Sequence, residues 1–215
     1  MRRKDPLCPT RARQVAALLG KAGFTVLYPE DDLKRWEREF QMPMYYKTDT
    51  HWNPVAGALV ARSLLALIDP AALPDMIPMT PENVRLQTLP QGDLLKMIHY
   101  PGDRGEDAPC FPDGGAYRAY GNQSAYYRIP ENPARPHGKK IFLIGDSFSN
   151  QVYRWLCLYS RQLVRYPYYE VNMREIDAFQ PDVVVLETVE RLLDRFLILG
   201  ESSAPRTPDA PPSGG

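Results

Sequence analysis

The carboxyl-terminal third of the chain alternates apolar strands with helices, and this alternation constrains the fold more than any other feature. IFLIG at 141–145 is an apolar run that ends in a tight turn and a helix. A short strand at 163–168 and a short helix at 173–179 follow, and PDVVVLETVE at 181–190 is then a nearly continuous apolar strand. Such apolar strands are typical of a parallel sheet that is buried on both faces. The sequence therefore predicts an α/β fold in which helices cover both faces of a parallel sheet.

The amino-terminal part adds three predicted helices and one predicted strand. Apolar residues at helical spacing predict a helix over 11–21, FTVLY at 24–28 is typical of a short buried strand, and residues 31–40 have the pattern of a polar helix. Asn53 and Pro54 predict the start of the third helix, because Asn caps free N–H groups and Pro loses no hydrogen bond at the first helical position. The apolar residues that follow predict a core-facing helix.

The length of 215 residues fits one domain with a short tail. Residues 70–137 are dominated by Pro, Gly, Asn and short polar runs, which predicts an irregular segment that covers one face rather than a second domain. Residues 190–199 predict a closing helix. From residue 202 the chain is rich in Pro, Ser and Gly and cannot bury enough apolar surface to order itself. We expect a single domain over residues 1–201 and a disordered tail over residues 202–215.

The charge balance and the hydropathy argue against two classes of partner. Lys plus Arg and Asp plus Glu each number 26, so no net field would attract nucleic acid or an anionic membrane surface. No apolar stretch approaches the ~20 residues that cross a bilayer. The basic start of the chain has no apolar run behind it, so the sequence predicts no signal peptide. A neutral or locally polar substrate is the easier fit.

The three cysteines predict neither a zinc site nor a complete disulfide framework. Cys8, Cys110 and Cys157 form no CxxC pair, have no His at a suitable spacing, and are odd in number. Cys157 lies in an apolar helical run, so we expect it to be buried. A bridge between Cys8 and Cys110 stays open, because the sequence does not establish it. We expect no metal and no cofactor.

Ser147 is the candidate nucleophile. GDSFS places it between an apolar strand and a helix, and sites in parallel sheets form beyond the carboxyl ends of the strands. Gly145 permits a tight turn, and the free N–H groups of the new helix could stabilise an oxyanion. The alternative is that Asp146 and Ser147 only cap the helix, since both residue types are favoured there.

Asp49 and His51, in TDTHWNP, supply the groups that a serine nucleophile needs. On an extended segment two residues that are two apart project to the same side, so Asp49 can orient the imidazole of His51. His51 can then take the proton of Ser147. The order Asp-His before Ser is no objection, because such triads recur in several chain orders. The alternative is a structural His51 whose ring nitrogens are satisfied by Asp49 and a backbone group.

Together these motifs carry a resemblance to a known family. TDTHWNP, then GDSFS about a hundred residues later, then PDVVVLETVERLL resemble the SGNH-hydrolase-like domain of bacterial polysaccharide O-acetyltransferases of the alginate AlgJ and AlgX type. The resemblance covers roughly residues 11–197. It implies an SGNH-hydrolase-like, flavodoxin-like parallel sheet, and a chain that starts inside the family's domain, truncated at its N-terminus.

The resemblance also implies a function. Ser147 corresponds to the nucleophile, and His51 and Asp49 correspond to the base and the acid, of an acetyl transfer onto hydroxyls of an exported, alginate-like polysaccharide in the periplasm. A membrane-bound O-acyltransferase partner would supply the acetyl groups. Two alternatives stay open: a carbohydrate acetyl esterase with the same triad, and a non-catalytic polysaccharide-binding or assembly protein.

Four further residues are candidate substrate contacts. Tyr46, Trp52 and Phe148 flank the proposed triad and could stack on a sugar ring, although aromatic residues beside a turn are more often part of the core. Asn122 is a candidate for the second oxyanion donor beside the N–H of Ser147, since SGNH enzymes often use an Asn.

Overall fold

The structure, a computed structural model, describes residues 9–90, 92–102, 105–112, 127–129 and 131–196. Within these residues the chain forms a four-stranded sheet and a separate two-stranded ribbon. The helices are α1 (Arg11–Lys21), α2 (Glu30–Phe40), α3 (Pro54–Ile68), α4 (Asp93–Met97), α5 (Ser149–Tyr159) and α6 (Met173–Phe179). The strands are β1 (Arg85–Leu89), β2 (Glu106–Cys110), β3 (Tyr127–Ile129), β4 (Lys140–Gly145), β5 (Gln162–Pro167) and β6 (Val183–Glu187). Short 3-10 helices cover Pro70–Asp75, Pro81–Asn83 and Glu190–Phe196.

The larger sheet has the strand order β3-β5-β4-β6. β4 pairs in parallel with β5 on one side and with β6 on the other, so that Phe142 lies opposite Val164 and Val184. β3 is antiparallel to β5. The parallel sheet that the apolar alternation predicts is therefore confirmed, with one antiparallel strand added beside it.

After β4 the chain passes to one face of the sheet, and after β5 it passes to the other face. On one face, Ile141 and Leu143 join a buried cluster that includes residues of α3 and α5. On the other face, Phe142 packs against Phe179 of α6. Since β4 leads into α5 and β5 leads into α6, two neighbouring strands send the chain to opposite sides. In a parallel sheet this leaves a crevice between the carboxyl ends of the two strands, which is where such folds bind ligands.

Helices α3 and α5 approach each other unusually closely. A Cβ atom added to Gly57 of α3 would lie 2.3 Å from the Cβ of Gln151 in α5, so only glycine allows this separation of the two helices. Both residues belong to the first turns of their helices. The amino-terminal ends of α3 and α5 therefore lie side by side.

Several predicted elements are confirmed. The Asn53 side chain accepts a hydrogen bond from the N–H of Ala56 at 3.0 Å, and Pro54 is the first residue of α3, as the capping pattern predicts. The helices predicted over 11–21 and 173–179 are α1 and α6. Cys157 is fully buried in α5, as its apolar surroundings predict.

The strand predicted at 24–28 is wrong, because the segment pairs with no strand among the described residues. Phe24 is 65% exposed. The hydroxyl of Tyr28 instead lies 3.0 Å from the hydroxyl of Thr10 and donates to Glu30 at 2.9 Å. A short apolar run indicates only a tendency toward extended backbone, and a strand also needs a neighbour with an unpaired edge.

Two other segments differ from their predictions. The closing helix predicted over 190–199 is a 3-10 helix as far as the chain is described. The sequence did not predict the helix type, because the periods of an α-helix and a 3-10 helix cannot be distinguished over so few residues. Residues 70–137 contain the β1–β2 ribbon, which the sequence did not predict because β1 is exposed along most of its length and shows no apolar alternation.

Some predictions fall outside the described residues: the tail over 202–215, the environment of Cys8 and the position of Asn122. In the part of the chain that is described, none of the helices combines the length and the apolar character that crossing a membrane requires.

Candidate active site

Ser147 occupies the tight turn that joins β4 to α5. Its side chain is exposed, whereas those of Asp146 and Phe148 on either side are buried. A Cβ atom on Gly145 would lie 2.7 Å from the Cβ of Ser149 and 2.8 Å from Oε2 of Glu187. The turn therefore needs glycine at the end of β4, and it directs the hydroxyl of Ser147 away from the sheet.

Asp146 and Arg165 hold this turn in place from below. The Asp146 carboxylate accepts hydrogen bonds from the N–H of Phe148 at 2.8 Å and from the N–H of Val189 at 2.9 Å, which ties the turn to the loop after β6. The buried guanidinium of Arg165 donates to Oγ of Ser149 at 2.7 Å and to the carbonyl of Asp146 at 2.9 Å. Asp146 is thus the capping residue of the turn, while Ser147 remains exposed.

His51 lies on a loop that ends at the amino terminus of α3. The loop is closed by a bridge between Tyr45 and Trp52, and the N–H of Tyr46 donates to the carbonyl of His51 at 3.2 Å. Nε2 of His51 lies 2.6 Å from Oγ of Ser147, although the two residues are 96 positions apart in the chain. The juxtaposition follows from the close packing of α3 against α5, because each helix presents one of these residues at its amino-terminal end.

Asp49 lies on the other side of the imidazole. Its Oδ1 contacts Nδ1 of His51 and accepts the N–H of His51 at 2.9 Å. Burial of the Asp49 carboxyl acts to raise its pKa, but the hydrogen bonds from the ring and N–H of His51 and from the N–H of Asp93 outweigh burial, so the pKa of Asp49 lies below its ordinary value. An ionised Asp49 places the proton of the neutral imidazole on Nδ1, which leaves Nε2 to accept the proton of Ser147.

Asp93, the first residue of α4, also belongs to the site, although the sequence did not single it out. Its carboxylate accepts the N–H of Thr50 at 2.7 Å and the hydroxyl of Thr50 at 2.6 Å, and its own N–H donates to Oδ2 of Asp49 at 3.1 Å. Its Oδ2 lies 3.9 Å from Nδ1 of His51. The preceding Gly92 contacts the same loop, since a Cβ atom there would lie 2.2 Å from the carbonyl oxygen of Thr48.

Glu106 of β2 fixes the start of the same loop. Its carboxylate accepts the N–H groups of Lys47 and Thr48 at 2.6 and 2.9 Å and the hydroxyl of Thr48 at 2.6 Å. Asp93 and Glu106 are far from the loop in sequence. They lie within residues 70–137, which the sequence predicts only as an irregular segment that covers one face of the domain. The one local signal was the Gly-Asp pair before an apolar run, which is too common to identify a site.

A metal ion could also use part of this cluster. Asp49, His51 and Asp93 each offer a ligand atom within 4.8 Å of the others. In the structure, however, both imidazole nitrogens already contact Asp49 and Ser147, and the Asp93 oxygens accept the Thr50 donors. Each of these ligand atoms therefore already has a partner within the protein.

The aromatic candidates pack beneath the site. Trp52 and Phe148 are 7% and 4% exposed, and their rings meet edge to face at 5.3 Å. The indole N–H of Trp52 donates to the carbonyl of Phe148 at 3.1 Å. Burial raises the pKa of Tyr46 to about 12, and its hydroxyl accepts from Gln151 at 3.3 Å. Two buried rings offer no face to a sugar. The prediction that Trp52 and Phe148 stack on a sugar ring is therefore corrected: both rings are part of the core, which was the alternative interpretation.

A cavity of about 380 Å³ adjoins the exposed face of Ser147. It lies at the crevice between the carboxyl ends of β4 and β5, where the fold predicts a ligand site. Its lining residues are Gly145, Asp146, Ser147, Asn150, Arg165, Pro167, Tyr168, Tyr169 and Leu192.

Three solved structures are similar to the chain at low sequence identity. A DHHW family protein from Eubacterium siraeum DSM 15702 is 15% identical with a TM-score of 0.50, over 74% of this chain and 62% of that one. PatB1 of Bacillus cereus is 13% identical with a TM-score of 0.48, over 80% of this chain and 67% of that one. The O-acetyltransferase domain of Pseudomonas putida AlgJ is 17% identical with a TM-score of 0.48, over 85% of this chain and 65% of that one. The chain thus spans less than two thirds of the first of these proteins.

Sequence comparison with curated proteins gave no match. Comparison with protein families did: residues 1–165 match the family described as SGNH hydrolase-like domain, acetyltransferase AlgX. The match covers more than half of the chain and includes Asp49, His51 and Ser147. It confirms the resemblance that the two motifs carry and the α/β, SGNH-like fold that they imply. The chain therefore belongs to the AlgX family of SGNH hydrolase-like acetyltransferase domains.

Proposed function

We propose that the chain is a polysaccharide O-acetyltransferase in which Ser147 is the nucleophile, His51 the general base and Asp49 the acid that orients the base. The observation that carries the proposal is the 2.6 Å distance between Nε2 of His51 and Oγ of Ser147, with Asp49 on the opposite ring nitrogen. Membership of an acetyltransferase family supports the same class of reaction.

The reaction has two steps with the same base. In the first, Nε2 of His51 accepts the hydroxyl proton of Ser147 while Oγ attacks the carbonyl carbon of an acetyl ester. The tetrahedral intermediate then expels the donor's alkoxide, which takes the proton from His51 and leaves acetyl-Ser147. In the second, His51 accepts a proton from a sugar hydroxyl, whose oxygen attacks the acetyl carbon. Oγ of Ser147 departs and regains its proton.

The oxyanion needs donors on the open side of Ser147. The backbone N–H of Ser147 precedes α5, where the peptide dipoles favour negative charge. We assign the second donor to the side chain of Asn150, because it lines the same cavity as Ser147. Asn122, the candidate from sequence, lies outside the described residues.

The test is acetyl transfer to an oligosaccharide, followed by mass spectrometry. In Ser147→Ala the rate should fall at least about 10³-fold, because the covalent intermediate cannot form. Ser63→Ala, on the side of α3, is the matched control and should keep the wild-type rate. Equal rates in wild type and Ser147→Ala would show that the protein is not a serine acetyltransferase.

An esterase is the second candidate, and the exposure of Ser147 favours it, since water can reach an acyl-enzyme at an exposed serine. The same experiment distinguishes the two functions. A transferase yields acetylated oligosaccharide in excess over free acetate, whereas an esterase yields acetate alone.

The resemblance to the alginate acetyltransferases supports a more specific form of the proposal. We propose an alginate-like exported polysaccharide as the acceptor, the periplasm as the location, and a membrane-bound O-acyltransferase as the donor of acetyl groups. The alginate-like acceptor is tested by offering oligouronates and neutral oligosaccharides of equal length as acceptors. Preferential acetylation of the oligouronates is expected, and equal use of both would remove the alginate-like acceptor from the proposal.

A further inference from the structure

The crevice between β4 and β5 has one wall that the triad does not use. The Ser147 turn forms one side, and the residues that follow β5 form the other. A hydrogen bond of 3.0 Å from the N–H of Glu170 to the carbonyl of Pro167 closes a turn whose two central residues are Tyr168 and Tyr169. Backbone geometry therefore fixes both tyrosines at the edge of the cavity.

The two tyrosines have different environments. Tyr168 is 7% exposed and packs in the cluster that contains Phe142 and Phe179. Tyr169 is 67% exposed and meets Tyr168 edge to face, with ring centroids 5.2 Å apart at 88°. A buried tyrosine thus supports an exposed one, and an exposed aromatic ring that is held in place costs little conformational entropy when a ligand covers it.

The rest of the lining combines apolar residues, Pro167 and Leu192, with polar ones. Asn150 extends from the first turn of α5, and the buried guanidinium of Arg165 lies at the base of the crevice, where it donates to the Ser147 turn. An exposed aromatic face beside the side-chain amide of Asn150 matches a ring that carries both C–H groups and hydroxyls. The volume of about 380 Å³ is within the usual range for sites that bind small ligands.

We propose that the cleft between β4 and β5 binds the sugar ring of the acceptor, with one face of the ring against Tyr169 and one hydroxyl directed at the acetyl group on Ser147. The inference rests on the proposed function and deepens it, because it assigns the acceptor site. It also transfers the stacking role from Trp52 and Phe148, which are buried, to Tyr169, which is exposed. In the transfer, the bond from acetyl carbon to Oγ of Ser147 breaks, the bond to the sugar oxygen forms, and the hydroxyl proton passes through His51 to Oγ.

The first experiment separates acceptor binding from acylation. Tyr169→Ala should raise the KM for an alginate-derived oligouronate about tenfold, while labelling of Ser147 by a small activated acetyl ester changes less than about twofold. Tyr169→Phe should retain the wild-type KM, since it keeps the ring. Phe24→Ala removes a ring that is equally exposed, at 65%, but lies outside the cleft, and should leave the KM unchanged.

The second experiment measures binding without chemistry. The Ser147→Ala variant and the Ser147→Ala, Tyr169→Ala double variant are each titrated with the same oligouronate by calorimetry. Weaker binding by the double variant supports the inference, whereas equal binding, or no binding by either protein, overturns it. If wild-type protein is not acetylated by the activated ester, the proposed function fails, and the titration still decides whether a sugar occupies the cleft.

Discussion

Three carboxylates hold the loop that carries His51, one from within the loop and two from outside it, and each contacts a different part. Asp49 contacts the imidazole, Asp93 accepts both donors of Thr50, and Glu106 accepts the N–H groups of Lys47 and Thr48. An anion that accepts backbone N–H groups fixes the loop more firmly than a neutral acceptor would, because hydrogen bonds to charged groups are the stronger ones. The orientation of His51 therefore depends on residues that never touch Ser147.

Asp93 tests this dependence. Asp93→Asn keeps an oxygen for the N–H of Thr50 but removes the negative charge beside the imidazolium, so we expect the rate of Ser147 acylation to fall about tenfold. Asp93→Ala removes the acceptor as well and should lower the rate about 100-fold, since small misplacements of a base are costly. Steady-state kinetics with an activated acetyl ester would measure both, with the loss in kcat rather than in KM.

The matched control for Asp93 is Asp107→Asn, which alters an exposed carboxylate of β2 that accepts only the hydroxyl of Thr88 among the described contacts. It should retain wild-type kinetics. A loss of the same size in Asp93→Asn and Asp107→Asn would show that the effect belongs to the surface charge and not to the positioning of His51.

At the scale of elements, the contact between α3 and α5 sets the distance between His51 and Ser147. Gly57→Ala would place a methyl group 2.3 Å from the Cβ of Gln151, so the two helices must separate. We expect the acylation rate to fall at least about tenfold and the protein to lose about 1–3 kcal/mol of stability through overpacking. Ester kinetics and urea unfolding measure the two effects.

Gly20→Ala is the control for this substitution. Gly20 lies in α1, and a Cβ atom there meets nothing within 4 Å. The change should leave the acylation rate unchanged and raise helix stability by about 1 kcal/mol. Full activity in Gly57→Ala would mean that the helix contact does not control the distance between His51 and Ser147.

The elements that the sequence predicted well are those whose burial leaves a periodic pattern. α3 has a capped start and a broad apolar face, and β4 is buried along nearly its whole length. β1 left no such trace because its residues are mostly exposed, so that burial imposes no alternation of apolar and polar residues on it. FTVLY at 24–28 had the composition of a strand, but a strand also needs a partner, which a local pattern does not contain.

The residues of the candidate site also fall into those that the sequence predicts and those that it does not. Asp49, His51 and Ser147 could be predicted because short motifs place them at a strand end and before a helix. Asp93 and Glu106 could not, since acidic residues are common on surfaces and their role arises from contacts across 43 to 59 positions of the chain. Tyr169 was missed because the cleft exists only once β4 and β5 are adjacent.

At the scale of the whole molecule, Glu187 couples folding to pH. Burial raises the pKa of Glu187 well above its ordinary value, and the nearby charge of Asp146 acts in the same direction. Its Oε2 is buried without a hydrogen-bond partner among the described residues. Between the ordinary and the raised pKa the folded state holds more protons than the unfolded state, so stability falls as pH rises through this window.

Replacing Glu187 with Gln should remove that loss. We expect Glu187→Gln to unfold with the same free energy as wild type near pH 4 and to be more stable by about 1–2 kcal/mol near pH 7, because the amide stays neutral. Urea unfolding across this range measures the difference. Glu39→Gln, an exposed position on α2, is the control and should follow the wild-type curve at every pH. Parallel curves for wild type and Glu187→Gln would contradict the assignment.

The close contact of α3 with α5 also bears on how such a protein can diverge. His51 and Ser147 lie at the starts of two helices that touch at Gly57, so the helix contact sets the distance between them independently of the intervening chain. Insertions and deletions between the two motifs are therefore tolerable wherever Gly92, Asp93 and Glu106 keep their contacts with the loop. Lineages of this architecture can exchange most of the intervening segment, and with it the surface offered to other molecules, without changing the distance between His51 and Ser147.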